Sequence, residues 1–356
     1  MRKVSFMVQN WCVLGGLLLA SAAQAGQVGF EGEGHAYHPI FSVDGKYVAF
    51  EVNRYAGDID LFIAPVTGEL AKTSAKVALP GGSNPFGGSG QVVVNPTWHK
   101  DGLAVFEGSN QGGQFRIYYR PATGGSAAEM ISSKEIPGDL TFPAISADGR
   151  SMAFVADETG NGDLRIRDSQ TGKVSRVTNS EAAEMYPSFS GDGGRVLFTR
   201  RQDGGEDVFE LDVSTGVEKR LVGGSGDQTR PAYAGDAVVF FDGSRGEGHW
   251  DLIAWRAGSQ KTIARDVALP LRARPAVSPD GAWVAFSYSD PVRANQIMLA
   301  RADGSATVAV PTGFTACQEP ALAKQGDRVV LAFTALPASG SDWRFLHLTD
   351  VTDKLK

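Results

Sequence analysis

The chain has 356 residues, 21% of them charged, and a formal net charge of −6. It contains no basic run that would favour a nucleic acid or an anionic membrane surface as partner. With two cysteines in the whole sequence, a disulfide-rich scaffold is excluded. Stability must therefore come from a hydrophobic core, and a chain of this length can bury a large one.

The first 25 residues are typical of a secretory signal peptide. Arg2 and Lys3 form a basic start, the apolar run Trp11–Ala20 follows, and Ala23–Ala25 offers a cleavage site before Gly26. The apolar run is too short to span a bilayer comfortably. We therefore predict that residues 1–25 are removed on export and that residues 26–356 form a single domain without membrane insertion. Losing two basic residues takes the net charge from −6 to −8.

One unit recurs along the rest of the chain. A residue followed by proline leads into a short apolar strand, usually an Asp-Gly turn, and a second strand that ends in Phe. Successive repeat prolines are 57, 47, 44, 44, 44 and 45 residues apart. This spacing indicates an internal repeat. The prolines are Pro39, Pro96, Pro143, Pro187, Pro231, Pro275 and Pro320.

Each unit has room for four strands, which is the size of a propeller blade. In the third unit, for example, an alternating strand at Leu164–Arg167 is followed by a Thr-Gly turn and a fourth strand near Val174–Val177. The last unit lacks room for its fourth strand, while Gln27–Glu31 forms a strand without a unit of its own. We therefore predict an all-β, seven-bladed β-propeller of four-stranded blades, with the last blade closed by the N-terminal strand. The segment Pro80–Gly90 is predicted to be an inserted loop.

The repeat resembles that of the TolB propeller family, whose WD-like motif also runs through Ser, Pro or Ala, and Asp-Gly to a strand ending in Phe. Ser278–Gly281 followed by Trp283–Phe286 is the most similar copy, and the resemblance covers Gly26–Val351. TolB carries an α/β domain before a six-bladed propeller, and this sequence predicts neither feature. The resemblance therefore implies the propeller architecture and a periplasmic location more strongly than it implies Tol-system partners.

In propellers, the segments that lead into the first strands surround one mouth of the central channel. The residues before the repeat prolines would then form a mouth with two arginines, two aromatic rings and a carboxylate, which suits a polar peptide or protein loop. An equally open interpretation is that they only cap strand ends. These candidate binding residues are His38, Asn95, Phe142, Tyr186, Arg230, Arg274 and Glu319.

No motif predicts catalysis, a metal site or a cofactor. His35 and His38 form an H-x-x-H pair, but on a loop this spacing fixes no metal geometry. Asp157–Asp163 resembles a calcium loop without its distal glutamate, which favours a polar hairpin loop. The sequence has no G-x-S-x-G nucleophile elbow. Cys317 has no evident basic partner, so a buried structural thiol is favoured over a nucleophile.

The sequence leaves three hypotheses for the function open, and they belong to different classes, because a propeller fold hosts both binders and enzymes. The first is a periplasmic binding or scaffold protein that presents the channel mouth to an envelope protein or peptide. The alternative is a carbohydrate-active lyase or hydrolase with its site in the same mouth. A third is a structural module that binds nothing small.

Overall fold

The computed structural model describes residues 26–54, 57–66, 74–80, 90–110, 113–289, 292, 296–336 and 342–356. Residues 1–25 and 81–89 lie outside the described residues, so the signal peptide and the inserted loop stay predictions. The described chain is built from β-strands, with one short 3₁₀-helix at Thr352–Lys354. No helix formed by these residues is long and apolar enough to cross a membrane.

The strands follow one another in sets that pair antiparallel in chain order. The first strand, β1 (Gly26–Val28), is the exception, because it pairs with the last one. The next eight strands are β2 (His35–Phe41), β3 (Tyr47–Asn53), β4 (Ile59–Pro65), β5 (Ala75–Lys76), β6 (Gln91–His99), β7 (Leu103–Asn110), β8 (Arg116–Pro121) and β9 (Ala128–Glu129). They form one eight-stranded sheet, in which a single parallel bridge between Ile59 and Val92 joins two four-stranded halves.

The remaining strands form separate four-stranded sheets. The first of these sheets contains β10 (Leu140–Ile145), β11 (Ser151–Ala156), β12 (Asp163–Asp168) and β13 (Val174–Arg176). The second contains β14 (Glu184–Phe189), β15 (Arg195–Gln202), β16 (Gly205–Asp212) and β17 (Glu218–Val222). The third contains β18 (Gln228–Ala234), β19 (Ala237–Asp242), β20 (Asp251–Arg256) and β21 (Ser259–Ala264). The fourth contains β22 (Ala276–Val277), β23 (Trp283–Ser287), β24 (Ile297–Arg301) and β25 (Thr307–Val310).

The last sheet joins the two ends of the described chain. It contains β26 (Thr315–Gln325), β27 (Arg328–Leu336) and β28 (Phe345–Asp350), and β1 pairs antiparallel along β28. The register places Gly26 opposite Leu348 and Val28 opposite Leu346. The prediction that the N-terminal strand completes the last unit is therefore confirmed, although the strand is shorter than predicted and ends at Val28.

The hydrophobic core lies between neighbouring sheets, and each core cluster contains one repeat phenylalanine. These rings form the core between the sheets, and all are at most 3% exposed. One cluster packs β2–β4 against β26–β28, so the last sheet contacts the first set of strands as well as its predecessor. The repeat phenylalanines are Phe50, Phe106, Phe154, Phe198, Phe240, Phe286 and Phe333.

The Asp-Gly turns are held by a recurring serine. The Ser190 hydroxyl donates to Asp192 Oδ1 at 2.6 Å and accepts from Arg195 N at 2.9 Å, while Asp192 Oδ1 accepts from Gly194 N. The Ser190 hydrogen bond lowers the pKa of Asp192 below its usual range. Gly193 has φ of 73°, a left-handed conformation that glycine adopts without strain. The same bonds recur at Ser42–Asp44, Ser146–Asp148 and Ser278–Asp280.

The repeat prolines lie inside the first strands rather than at their start, which corrects the sequence interpretation. β2, for example, begins four residues before its proline. A shift in strand register between Tyr37 and Ile40 absorbs the interruption. Such a bulge is how a strand accommodates a residue that cannot donate a ladder hydrogen bond. Pro275 differs, because β22 begins only after it, at Ala276.

Candidate functional site at the channel mouth

The residues before the repeat prolines share an unusual backbone conformation. Six of them have φ between 46° and 55°, in the left-handed region that costs an ordinary residue about 1–2 kcal/mol. Each sits at the bulge in its first strand, and a bulge re-aims the side chain next to it. Arg274, whose strand begins later, is not among them. The six residues are His38, Asn95, Phe142, Tyr186, Arg230 and Glu319.

Side chains from the neighbouring second strand satisfy the backbone of these bulges. Glu51 Oε1 accepts from Asn95 N at 2.8 Å and lies 2.8 Å from His38 Nδ1. Glu107 Oε1 accepts from Asn95 Nδ2 at 2.7 Å and from Phe142 N. Because each carboxyl group spans two adjacent sets of strands, these bonds fix the mouth residues relative to one another. Between two later sheets, Thr199 Oγ1 likewise accepts a hydrogen bond from Arg230 N, at 3.3 Å.

Glu107 is held in an environment that favours its neutral form. Burial raises the pKa of its carboxyl group to about 8, against the hydrogen bonds from Phe142 N and Asn95 and the charge of Arg272, which lower it. At neutral pH this carboxyl group is therefore mostly protonated.

Glu319 connects the last sheet to two other parts of the mouth. Its Oε2 accepts from His38 N, and its Oε1 accepts from Leu271 N at 2.7 Å. The side chain is 5% exposed. The Glu319 carboxylate thus holds together the bulge of β2 and the segment that carries Arg272 and Arg274.

Three arginines converge on the same region. Arg230 donates to the carbonyls of Pro270 and Leu271, and its guanidinium carbon lies 5.1 Å from the centre of the Tyr186 ring. Arg274 donates to the carbonyl of Pro187. Arg272 Nε lies 3.2 Å from Glu51 Oε2.

The aromatic residues form one wall of the mouth. The rings of Phe142 and Tyr186 pack with centroids 4.7 Å apart and an interplanar angle of 60°. This tilted arrangement is favoured for neighbouring aromatic rings. A narrow gap remains beside them. It leaves a volume of about 20 Å³ in which the centre of a water-sized sphere can lie, which is room for about one ordered water. The gap is lined by His38, Asn95, Pro96, Phe142, Pro143, Tyr186, Arg272 and Arg274.

A larger cavity lies along the inner strands and shares lining residues with the gap. It has a volume of about 330 Å³ and is lined by β2, by the start of the β22 sheet and by β26. His38 and Arg274 line both spaces. Its walls are largely proline and aliphatic, including Ile40, Val277 and Leu322. We call the two spaces the mouth gap and the channel cavity.

The structure brings all seven candidate residues together, and it adds three that sequence reasoning missed. His38, Asn95, Phe142, Tyr186 and Arg274 line the mouth gap, while Arg230 and Glu319 contact its lining residues. The missed residues each have a signal in the sequence. Two of them directly follow a repeat phenylalanine, and the third lies two residues before Arg274. They are Glu51, Glu107 and Arg272.

The residues considered from sequence as metal ligands or as a nucleophile, His35, His38 and Cys317, make contacts within the fold. The His35 ring packs 5.5 Å from the Trp343 ring, whereas His38 is bonded to Glu51. Within the part of the chain that the structure describes, no three His, Cys, Asp or Glu side chains are grouped as metal ligands. Burial raises the pKa of the Cys317 thiol, which is fully buried.

A second recurring polar arrangement, also missed from sequence, lies at the start of the third strands. A buried aspartate there pairs with an arginine of the same sheet or an adjoining loop. In the segment that resembles a calcium loop, Asp163 accepts from both Arg176 and Thr159, so its carboxylate is bound within the fold. The pairs are Asp60–Arg54, Asp163–Arg176, Asp207–Arg220 and Asp251–Arg245.

Comparison with known families agrees with this architecture. The model of the TolB beta propeller domain matches residues 128–326, more than half of the chain. The chain belongs to this family. No curated protein sequence matches it significantly.

Solved structures show the same fold at low identity. A protein described as TolB from Agrobacterium tumefaciens is 21% identical with a TM-score of 0.52, covering 65% of this TolB-type chain and 81% of the other. An oligogalacturonate lyase from Vibrio parahaemolyticus is 11% identical with a TM-score of 0.60, covering 91% and 92%. A puromycin-hydrolyzing peptidase from Mycobacterium tuberculosis is 15% identical with a TM-score of 0.63, covering 89% and 51%, so this chain spans about half of it. At these identities the likeness concerns the fold alone.

Proposed function

We propose that this chain is an exported binding protein, a seven-bladed propeller whose channel mouth receives a segment of a protein or peptide partner in the periplasm. The count of seven is supported by the four-stranded sets, taking the eight-stranded sheet as two blades, and by the core clusters between successive sets. The cluster between the last sheet and β2–β4 supports a closed ring. Export is supported by the character of residues 1–25.

One observation carries the binding function: positively charged and aromatic side chains converge on a gap at the mouth, where buried carboxyl groups hold the backbone of the bulges. Arginine and aromatic residues are the side chains most enriched at the centres of protein interfaces. The bulges that hold them are strained, and strain of this kind is concentrated at binding and catalytic sites. A binding role uses all of these features.

The proposal is tested by photo-cross-linking in the native periplasm. A photoreactive phenylalanine analogue replaces Tyr186 at the mouth or, as a matched control, Val217, which is 63% exposed on a turn between β16 and β17. We expect a discrete polypeptide adduct from position 186 and none from position 217. The Arg230→Ala, Arg274→Ala double variant should lose the adduct. Absence of an adduct at position 186, or the same adducts from both positions, would contradict the proposal.

No observation on the described residues specifically favours the carbohydrate-active alternative. It is tested on the same purified protein by incubation with oligogalacturonate and Mn²⁺ and by following the absorbance of the unsaturated product. Turnover that is lost in the Arg230→Ala, Arg274→Ala variant would place an enzyme, rather than a binding protein, in this mouth.

A further inference from the structure

The charges at the mouth do not balance. Arg230, 8% exposed, and Arg274 have no Asp or Glu partner among the described residues, and their guanidinium groups contact backbone carbonyls instead. Both carboxylates that could compensate are already engaged. Glu51 bonds His38 and Asn95, and Glu319 bonds two backbone N–H groups. A buried charge without a counter-charge is unfavourable, so the site is short of negative charge.

The arginines also retain unused hydrogen-bond donors. The Nε atoms of Arg230, Arg272 and Arg274 are buried and have no hydrogen-bond partner in the part of the chain that the structure describes. Arg272 Nε is close to Glu51 Oε2 but is not aligned to donate to it. Two of these arginines, Arg272 and Arg274, line the mouth gap. Planar guanidinium donors match the two oxygens of a carboxylate.

The size of the gap restricts what can enter it. Room for about one water-sized sphere admits a planar carboxylate between the Tyr186 wall and the arginines. A pyranose ring has the volume of several waters and does not fit in the gap itself, so only the carboxylate of an acidic sugar would enter it. The aliphatic channel cavity beyond the gap suits the chain that carries the carboxylate, since its walls offer apolar contacts and few charges.

From these observations we propose that Arg272 and Arg274 form a binding site for a carboxylate of a polypeptide partner. The inference rests on the proposed function, because it names the group that the partner presents at the mouth. A polypeptide is favoured over an acidic sugar by the channel cavity, whose largely proline and aliphatic walls offer few polar groups to sugar hydroxyls. Both an acidic side chain and a chain terminus supply this group.

The test titrates short peptides into the purified full-length protein and follows the arginine Nε–H signals by NMR. The probes are acetyl-Gly-Asp-Gly amide, its neutral match acetyl-Gly-Asn-Gly amide, and acetyl-Gly-Gly-Ala with a free carboxyl terminus. Galacturonate and inorganic phosphate are the non-peptide probes. We expect at least one carboxylate peptide to bind about tenfold or more tightly than the neutral peptide and to shift the Arg272 and Arg274 signals.

Variants distinguish binding at the proposed site from a general effect of surface charge. Arg272→Gln with Arg274→Gln should weaken carboxylate binding about tenfold or more, whereas Arg256→Gln, which removes an exposed arginine paired with Asp236, should leave it unchanged. If the double Gln variant does not fold, Arg272→Lys with Arg274→Lys keeps the charge and should give intermediate binding, because lysine lacks the planar pair of donors.

Equal binding of the Asp and Asn peptides, or carboxylate binding that is unchanged in the double variants, would overturn the proposal. Tighter binding of galacturonate or phosphate than of either carboxylate peptide would overturn the polypeptide source. The photo-cross-linking experiment does not depend on these probes. A polypeptide adduct at position 186 together with failed titrations would therefore leave the proposed function standing and remove only the carboxylate site.

Discussion

His347 shows how a single residue can set the acid sensitivity of this fold. It lies on β28, is fully buried, and packs between Phe314 and Phe333, with ring centroids 4.0 Å and 5.5 Å away. Neither ring nitrogen has a hydrogen-bond partner among the residues whose positions are described. Burial lowers the pKa of the imidazole to about 4, because its protonated form would be an unpaired charge in the core.

We expect wild-type protein to lose stability as pH falls from about 6.5 to 4, relative to His347→Leu. In this window His347 binds a proton in the unfolded state but not in the folded state. The contribution of neutral His347 to the free energy of unfolding is therefore complete above pH 6.5 and is lost on acidification. The loss should total about 3 kcal/mol. Urea denaturation at a series of pH values measures it.

A matched control is His249→Gln, since His249 is exposed and paired with Asp266 at the surface. Because this ion pair is exposed to solvent, the replacement should change stability by less than about 1 kcal/mol. At pH 7.5 the Leu variant should be at least as stable as wild type, because it removes two unsatisfied buried nitrogens. A difference between wild type and His347→Leu that does not change with pH would contradict this account.

At the scale of elements, the N-terminal strand β1 contributes to stability through contacts with residues that are far away in the sequence. β1 pairs with β28, and the residue two positions beyond it, Phe30, packs against the rings of Phe50, Phe62 and Phe345 with centroids 5.5–6.0 Å apart. The strand therefore covers the edge of β28 and fills the core between the last sheet and the first set of strands. An uncovered edge would be open to pairing with another chain.

Phe30→Ala should lower the free energy of unfolding by about 2 kcal/mol, because a large, partly buried ring is removed from three aromatic contacts. Guanidinium denaturation measures the effect. Val217→Ala, at an exposed turn, serves as the control and should change stability by less than about 0.5 kcal/mol. Equal stability of Phe30→Ala and wild type would show that this end of the chain contributes little to the closing sheet.

On the scale of the whole molecule, every sheet depends on two neighbours for its core. The last sheet contributes to the cluster with β2–β4 and to the cluster with the β22 sheet. Removing it would expose apolar faces on both sides. A closed ring is therefore expected to unfold as a single unit rather than sheet by sheet.

A chain ended after Val310 should lack a cooperative unfolding transition, because it loses β26–β28 and leaves β1 without its partner. Scanning calorimetry of the full chain should show one transition, and of the shortened chain none. A shortened chain that unfolds as cooperatively as the full one would indicate an open array of independent sheets instead of a ring.

Local spacing and hydrophobic pattern are enough to predict the repeating strand order, the Asp-Gly turns and the phenylalanine core. The seven pre-proline residues are also found from the sequence, since they recur beside a fixed proline. That Glu51, Glu107 and Arg272 belong with them is apparent only from the packing of the sheets. Most of their contacts cross from one repeat to another, and the contact between Arg272 and Glu51 joins segments far apart in the chain. The missing counter-charge at the mouth has the same origin, because a sequence counts charges without showing which of them meet.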